Sequence, residues 1–260
     1  MNARRPQLRI THAGPVASVA LARARQRGMR VADLLLDLCV ALEEIGRRAE
    51  TRAIVLTADS EAFSIGGDLR RFAHEAGNAE LETYSAELVG LLNQAILALM
   101  KSPQPVVAAV QGSVTGGAIG LVLASDVVIA GESAEFHARS VAAGLTPDGG
   151  WTALLPRLVG GRRAAACLLL DRAVSAADAL LWGLVTEVVP DAQVAQAARD
   201  AASRIAAAPS NVIREGKRLL AADLDQVERA LEAERRSFVA AIAQAETRAH
   251  VARFVAASDS

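Results

Sequence analysis

Aromatic side chains are scarce: one Tyr, two Trp and five Phe make up 3% of the 260 residues. Hydrophobic residues still reach 52%, so the chain can bury a sizeable core, but one built from Ala, Val, Leu and Ile. Cysteine is scarce too. Cys39 and Cys167 stand among apolar residues without metal-ligand spacing. Both are expected to be buried, reduced thiols rather than disulfide or metal partners. There is no excess charge of either sign. The 28 basic and 29 acidic residues leave a net charge of -1, which implies neither a general nucleic-acid surface nor an acidic tail. Apolar runs break well short of the ~20 residues of a membrane span. Met1 to Ile10 is charged and has no apolar core. No secretory signal is therefore legible, and a cytoplasmic protein without membrane or nucleic-acid partners is expected. No metal or redox-cofactor motif is present.

What the chain does have is alternation. Leu8 to Thr11 and Ala17 to Leu21 read as short extended segments joined by a Gly14-Pro15 turn. Val31 to Arg48 places Leu34, Leu35, Leu38, Leu42 and Ile45 at helical spacing. Ala53 to Thr57, Val106 to Val110 and Val127 to Ala130 read as buried strands. Leu81 to Met100 reads as a helix stopped by Pro103 and Pro105. Gly112 to Gly120 reads as a glycine-rich turn into an apolar helix. This order implies an α/β fold with crossover helices. From about Asp191 the pattern is helical only. These helices have little core of their own and are expected to pack on the first domain or on another subunit. The expected division is a core over residues 1–195 and a helical domain over 196–260.

Three glycine-containing segments carry the chemistry. The first is Ala62-Phe63-Ser64-Ile65-Gly66-Gly67-Asp68-Leu69. The second runs from Pro105 through Gln111-Gly112-Ser113-Val114-Thr115 to Gly116-Gly117. The third is Gly144-Leu145-Thr146-Pro147-Asp148-Gly149-Gly150, followed by Leu155 to Gly160. Their order and spacing, with Ala134-Glu135-Phe136 and Trp182 to Val185, resemble the enoyl-CoA hydratase/isomerase (crotonase) family from about Ala17 to Pro190. The resemblance implies a crotonase-like spiral of strand-strand-helix units with a C-terminal helical trimerisation domain. It also implies a homo-oligomer, trimer or hexamer. The substrate would be an acyl-coenzyme A thioester, with coenzyme A part of the substrate and no separate cofactor.

Chemistry beside a thioester pushes negative charge onto its carbonyl oxygen, and two fixed N–H donors can hold that charge. By resemblance the donors are the N–H groups of Gly67 and Gly117. Gly67 lies where glycine allows a sharp turn. Gly117 lies at the start of the apolar helix, where a free N–H and the helix dipole favour an anion. The same resemblance puts Ser64, Ile65, Gly66, Asp68, Leu69, Gly116, Ser140 and Pro147 at the substrate, with Asp68 and Asp126 as loop-fixing residues. Arg23 stands at the Arg of a loop that contacts the nucleotide, although the loop's Pro and Asn are absent. A solvated basic loop is the alternative. Lys217 and Arg218 could reach the same phosphates.

Hydration needs more than an oxyanion hole. The family's hydratases carry two glutamates, and the matching positions here are Gly120 and Ser140. Neither can act as a carboxylate acid or base. Glu132 and Glu135 are read as solvated. The remaining acid is Asp148, which matches an aspartate facing the thioester in isomerase-like branches, including ring-modifying isomerases. One carboxylate suffices for a 1,3-proton shift, although Pro-Asp-Gly is also turn chemistry and Asp148 could cap a helix. A dehalogenating branch needs a Trp at Ser140 and a His near Asn93, and both are missing. His74 is read as solvated, and His137 is a possible pocket-lining residue. The expected function is double-bond isomerisation through a stabilised enolate. A catalytically silent acyl-CoA binder, a hydratase with relocated acids and a purely structural oligomer are the alternatives.

Overall fold

A computed structural model of the chain describes residues 7–21, 31–64, 66–67, 69–74, 79–221 and 223–258. The first half comprises β1 (Leu8–Ala13), β2 (Val16–Leu21), α1 (Val31–Gly46), β3 (Ala53–Ala58), α2 (Leu69–His74), α3 (Ala79–Lys101), β4 (Val106–Val110), β5 (Ser113–Thr115), α4 (Ile119–Leu123), β6 (Val127–Gly131) and β7 (Glu135–His137). Then follow α5 (Ser140–Ala143), α6 (Leu155–Val159), α7 (Gly161–Leu169), β8 (Val174–Ser175), α8 (Ala176–Trp182) and β9 (Glu187–Val189). Four helices close the chain: α9 (Val194–Ala207), α10 (Ser210–Leu220), α11 (Leu224–Ile242) and α12 (Ala245–Ser258).

Six strands pair in the order β1-β2-β3-β4-β6-β9, and β5-β7-β8 form a second sheet. Only β1 runs antiparallel in the large sheet. The short β5 and β7 branch off after β4 and β6. They give the strand-strand-helix repeat of the spiral that the motifs imply.

The strands are near-continuous apolar runs because both sheet faces are covered. On one face Val19, Leu56, Ala108 and Ala130 meet α1, α3 and α4. On the other, Val55, Val107, Ala109 and Ile129 meet Ala198, Ala201, Ala202 and Ala206 of α9. Alanine on that helix face lets it lie close to the sheet, which suits a core poor in aromatics. Residue 195 thus falls in the first turn of a helix that covers the sheet. Farther on, α11 packs on α3 and α12 on α2. Cys167 is buried, but Cys39 is only partly so, contrary to expectation, because it stands at the edge of the apolar face of α1. Among the described residues no helix is long and apolar enough to cross a membrane.

Two of the glycine segments are stitched together. Phe63 N–H donates to the Gln111 carbonyl (2.8 Å), Ser64 N–H to Ser113 (3.0 Å), and Thr115 N–H to Ser64 (3.0 Å). Gly112 makes the crossing possible. It has φ +58°, and a Cβ there would lie 2.2 Å from the Glu61 carbonyl oxygen. Gly112→Ala is therefore expected to cost at least about 3 kcal/mol. A drop in urea midpoint at unchanged m-value would show it.

Candidate functional site

The three glycine segments converge on one cavity of about 190 Å³. Ser64, Gly66, Gly67 and Leu69 line it from the first segment, and Thr115, Gly116, Gly117 and Ala118 from the second. Arg139, Ser140, Leu145, Thr146 and Asp148 line it from the third side. The remaining wall is apolar: Leu34 and Leu35 of α1, Phe72 of α2, Leu88, Val89 and Leu92 of α3, Phe238 of α11 and Phe254 of α12.

The glycines do different jobs. Gly66 and Gly116 carry the positive φ angles, +84° and +62°, so the conformational demand falls one residue before each expected donor. A Cβ on Gly67 would meet nothing within 4 Å. A Cβ at Gly117 would lie 2.7 Å from both Asp148 Oδ2 and Leu92 Cδ2, so a larger residue there has to displace the ends of those two side chains. Gly117 sits in a 3-10 turn, Gly116–Ala118, ahead of a helix of only five residues. The helix dipole is correspondingly short, and the N–H itself is the relevant feature. Among the described residues, neither Gly67 N–H nor Gly117 N–H has a backbone carbonyl partner in the loops.

Asp148 lies against Gly117, partly accessible and lining the cavity. It caps no helix, because α6 starts only at Leu155 with Leu154 at its N-cap. Its loop is pinned from three sides. Trp151 Nε1–H donates to the Gly116 carbonyl at 2.9 Å. Gly149, with φ +69°, approaches Gly117 so closely that a Cβ would sit 2.2 Å from the Gly117 carbonyl oxygen. Glu234 of α11 accepts from Gly150 N–H (2.8 Å), Thr152 N–H (2.7 Å), Thr152 Oγ1–H (2.5 Å) and Ala153 N–H (2.9 Å). Burial pushes the Asp148 carboxyl up from 3.8 to about 7, and the charge of Glu234 adds to the rise. A bond to its own backbone amide pulls the other way. Such a group exchanges protons near neutral pH.

The two positions without glutamates differ physically. Ser140 is buried, lines the cavity, and has a hydroxyl without a partner among the described residues. Gly120 has no room at all. A Cβ there would lie 2.3 Å from Ile96 Cδ1 and 2.5 Å from the Gly149 carbonyl oxygen.

Other expectations are redirected. Pro147 is not among the cavity-lining residues. His137 is not in the cavity wall either, because its Nε2 meets the Asp171 carbonyl at 2.9 Å. Lys217 is engaged by Asp126 (2.8 Å) and by the carbonyls of Leu99 and Gln104, so its ammonium closes the fold. Arg218 pairs with Glu215. Asp126 accepts from Val106 N–H (2.7 Å) as well, a loop-fixing role. Glu132 and Glu135 are exposed. Arg23, Ile65 and Asp68, and the side chain of His74, lie outside the described residues. Glu234 was not legible as a site residue. Its one signal is a Glu standing in the apolar stripe Val227, Leu231, Phe238, Ile242.

The sequence matches the model of the enoyl-CoA hydratase/isomerase family over residues 12–259. A probable enoyl-CoA hydratase of Mycobacterium bovis is 35% identical over 220 residues, covering 83% of this chain and 77% of that protein. The 1,2-epoxyphenylacetyl-CoA isomerase of Escherichia coli is 35% identical over 175 residues, covering 67% and 66%. Among solved structures, an enoyl-CoA hydratase/isomerase from Pseudoalteromonas atlantica superposes with a TM-score of 0.84 at 28% identity, covering 97% of this chain and 98% of that one.

Proposed function

The chain belongs to the enoyl-CoA hydratase/isomerase family, and within it we propose that this protein moves a carbon–carbon double bond in an acyl-coenzyme A thioester by a 1,3-proton shift. One observation carries the reading. Asp148 is the single carboxylate among the described residues of the cavity wall, and it touches the Gly117 position. The thioester carbonyl oxygen accepts from Gly67 N–H and Gly117 N–H. Ionised Asp148 takes a proton from carbon, and the C–H electron pair passes into the enolate. The same proton returns to the other end of the allylic system, and the double bond has moved with no net change in atoms. Losing one such donor costs about 2.7–4 kcal/mol in comparable sites. Ser64, Gly66, Leu69, Gly116 and Ser140 shape the pocket around the acyl group.

A thioester binder without turnover is the second reading, favoured by the closed space at Gly120 and the serine at 140. The exposed Leu169, Leu170, Leu181 and Leu220 support a homo-oligomer, trimer or hexamer.

The test is incubation with 3-enoyl- and 2-enoyl-CoA thioesters of several chain lengths. A change in conjugation at constant mass is the expected result. A gain of one water mass defeats the proposal, and binding without conversion favours the silent binder. The reaction starts from ionised Asp148, which gains its charge as pH rises through about 7. The expected kcat/KM therefore climbs across that range and levels above it. A profile already level at about pH 5 counts against Asp148 as the base.

A further inference from the structure

Glu234 is a charged side chain, 5% exposed, on a helix that otherwise buries only apolar residues on that face. Among the described residues it accepts four hydrogen bonds, from Gly150, Thr152 and Ala153. Among the described residues no Lys, Arg or His forms an ion pair with it. Its helix neighbour Arg235 pairs with Glu232 instead. A buried carboxylate without a cationic partner is unfavourable. Four donors from one short loop offset that cost and tie the loop to α11. Asn93 ties α11 in turn to α3, its Nδ2–H donating to the Leu231 carbonyl at 3.1 Å.

We propose that Glu234 is the positioning residue for Asp148: from the C-terminal helical region it clamps the loop that carries the acid and sets a second carboxylate behind it. The inference rests on Asp148 as the proton carrier. Other charged groups lie on the neighbouring elements: Arg139 in the cavity wall, Arg235 and Arg236 on α11, Arg157 on α6 and His250 on α12. Arg157 bonds Gln226, and His250 meets the Ala142 carbonyl. The α3 residues beside Gly117 and Gly120, Leu92 and Ile96, carry no charge. Among these charged groups, Glu234 is the one that acts on the Asp148 carboxyl, and it favours the protonated acid. Like charges brought together out of water oppose each other's ionisation. Two features follow from one residue: a fixed loop and an acid poised near neutrality. Clamp and charge separate experimentally, because a merely structural clamp leaves the titration of Asp148 where it is.

The experiment is a carbon-13 NMR titration of aspartate-labelled protein, with the Asp148 signal identified by its loss in Asp148→Asn. In the unaltered protein the signal is expected to titrate near 7. In Glu234→Gln its midpoint is expected to move to lower pH, and amide exchange at Gly150, Thr152 and Ala153 to accelerate about tenfold or more. A midpoint that stays put in a folded Gln variant overturns the proposal. If that variant does not fold, Glu234→Asp replaces it. The charge then withdraws by one methylene, so the same downward shift is expected, and an unchanged midpoint is equally fatal. No reading here needs turnover. Titration that responds to Glu234 in a protein that isomerises no thioester defeats the proposed reaction and leaves the positioning role intact. Isomerisation with an unresponsive midpoint defeats only the latter.

Discussion

Asp148→Asn is expected to lower kcat by about a hundredfold to ten-thousandfold and, at pH 8, to make the protein more stable. The activity loss follows from removing the one carboxylate among the described residues of the cavity wall while keeping its shape. The stability gain follows from linkage. The folded Asp148 carboxyl holds its proton up to about 7, whereas an ordinary one releases it near 3.8. Between those values the folded state binds more protons than the unfolded state, so stability falls as pH rises. Below about 4 the penalty is absent, and above about 7 it is fully present. A gap of about three units, at about 1.36 kcal/mol each, sets an upper bound near 4 kcal/mol. Partial access to the cavity reduces this to about 2–3 kcal/mol. Urea unfolding of both proteins at pH 4 and pH 8 is the check. The stability difference should be small at the lower pH and open at the higher. An Asn variant that is weaker at pH 8 would falsify the claim that a buried charge strains this site. Retained turnover would remove Asp148 from the reaction.

Restoring a glutamate at 120 is expected to fail twice. Gly120→Glu has to place its Cβ 2.3 Å from Ile96 Cδ1 and 2.5 Å from the Gly149 carbonyl oxygen. Ile96 is wholly buried, and Gly149 is itself wedged against Gly117. Overpacking of that kind, with a charge added, is expected to cost at least about 3 kcal/mol. It also pushes the Asp148 loop off its seat, so isomerisation should fall and no hydration should appear. A thermal melt and a mass assay for water addition decide it. A folded Gly120→Glu protein that hydrates an enoyl thioester would mean that α3 and the 149 loop yield far more readily than their packing indicates. Ser140 presents the opposite case: its side chain already borders the cavity, so Ser140→Glu is expected to fold. It should still not hydrate, for want of the second acid.

The two positions look alike in the sequence, since each merely lacks a glutamate. Only the packing separates a site with room from a site closed by Ile96. The same division runs through the molecule. The strand runs at Ala53, Val106 and Val127, the helices at Val31 and Leu81, and the glycine segments at 66–67 and 116–117 are legible because they rest on local causes: apolar period, proline stops and glycine in turns. Even there the finer assignment moved, with Gly66 and Gly116 taking the positive φ and Gly117 set against Asp148. Three-dimensional proximity decided the rest. Lys217 reached Asp126 across 91 residues and closed the fold. Glu234 met Gly150 across 84 residues. By itself the sequence determined the spiral, the family and the absence of two acids. The tertiary structure alone decided that the remaining acid is desolvated, backed by a second carboxylate and poised near neutrality. A proton affinity depends on burial and on the distance to other charges, and neither is a property of neighbours along the chain.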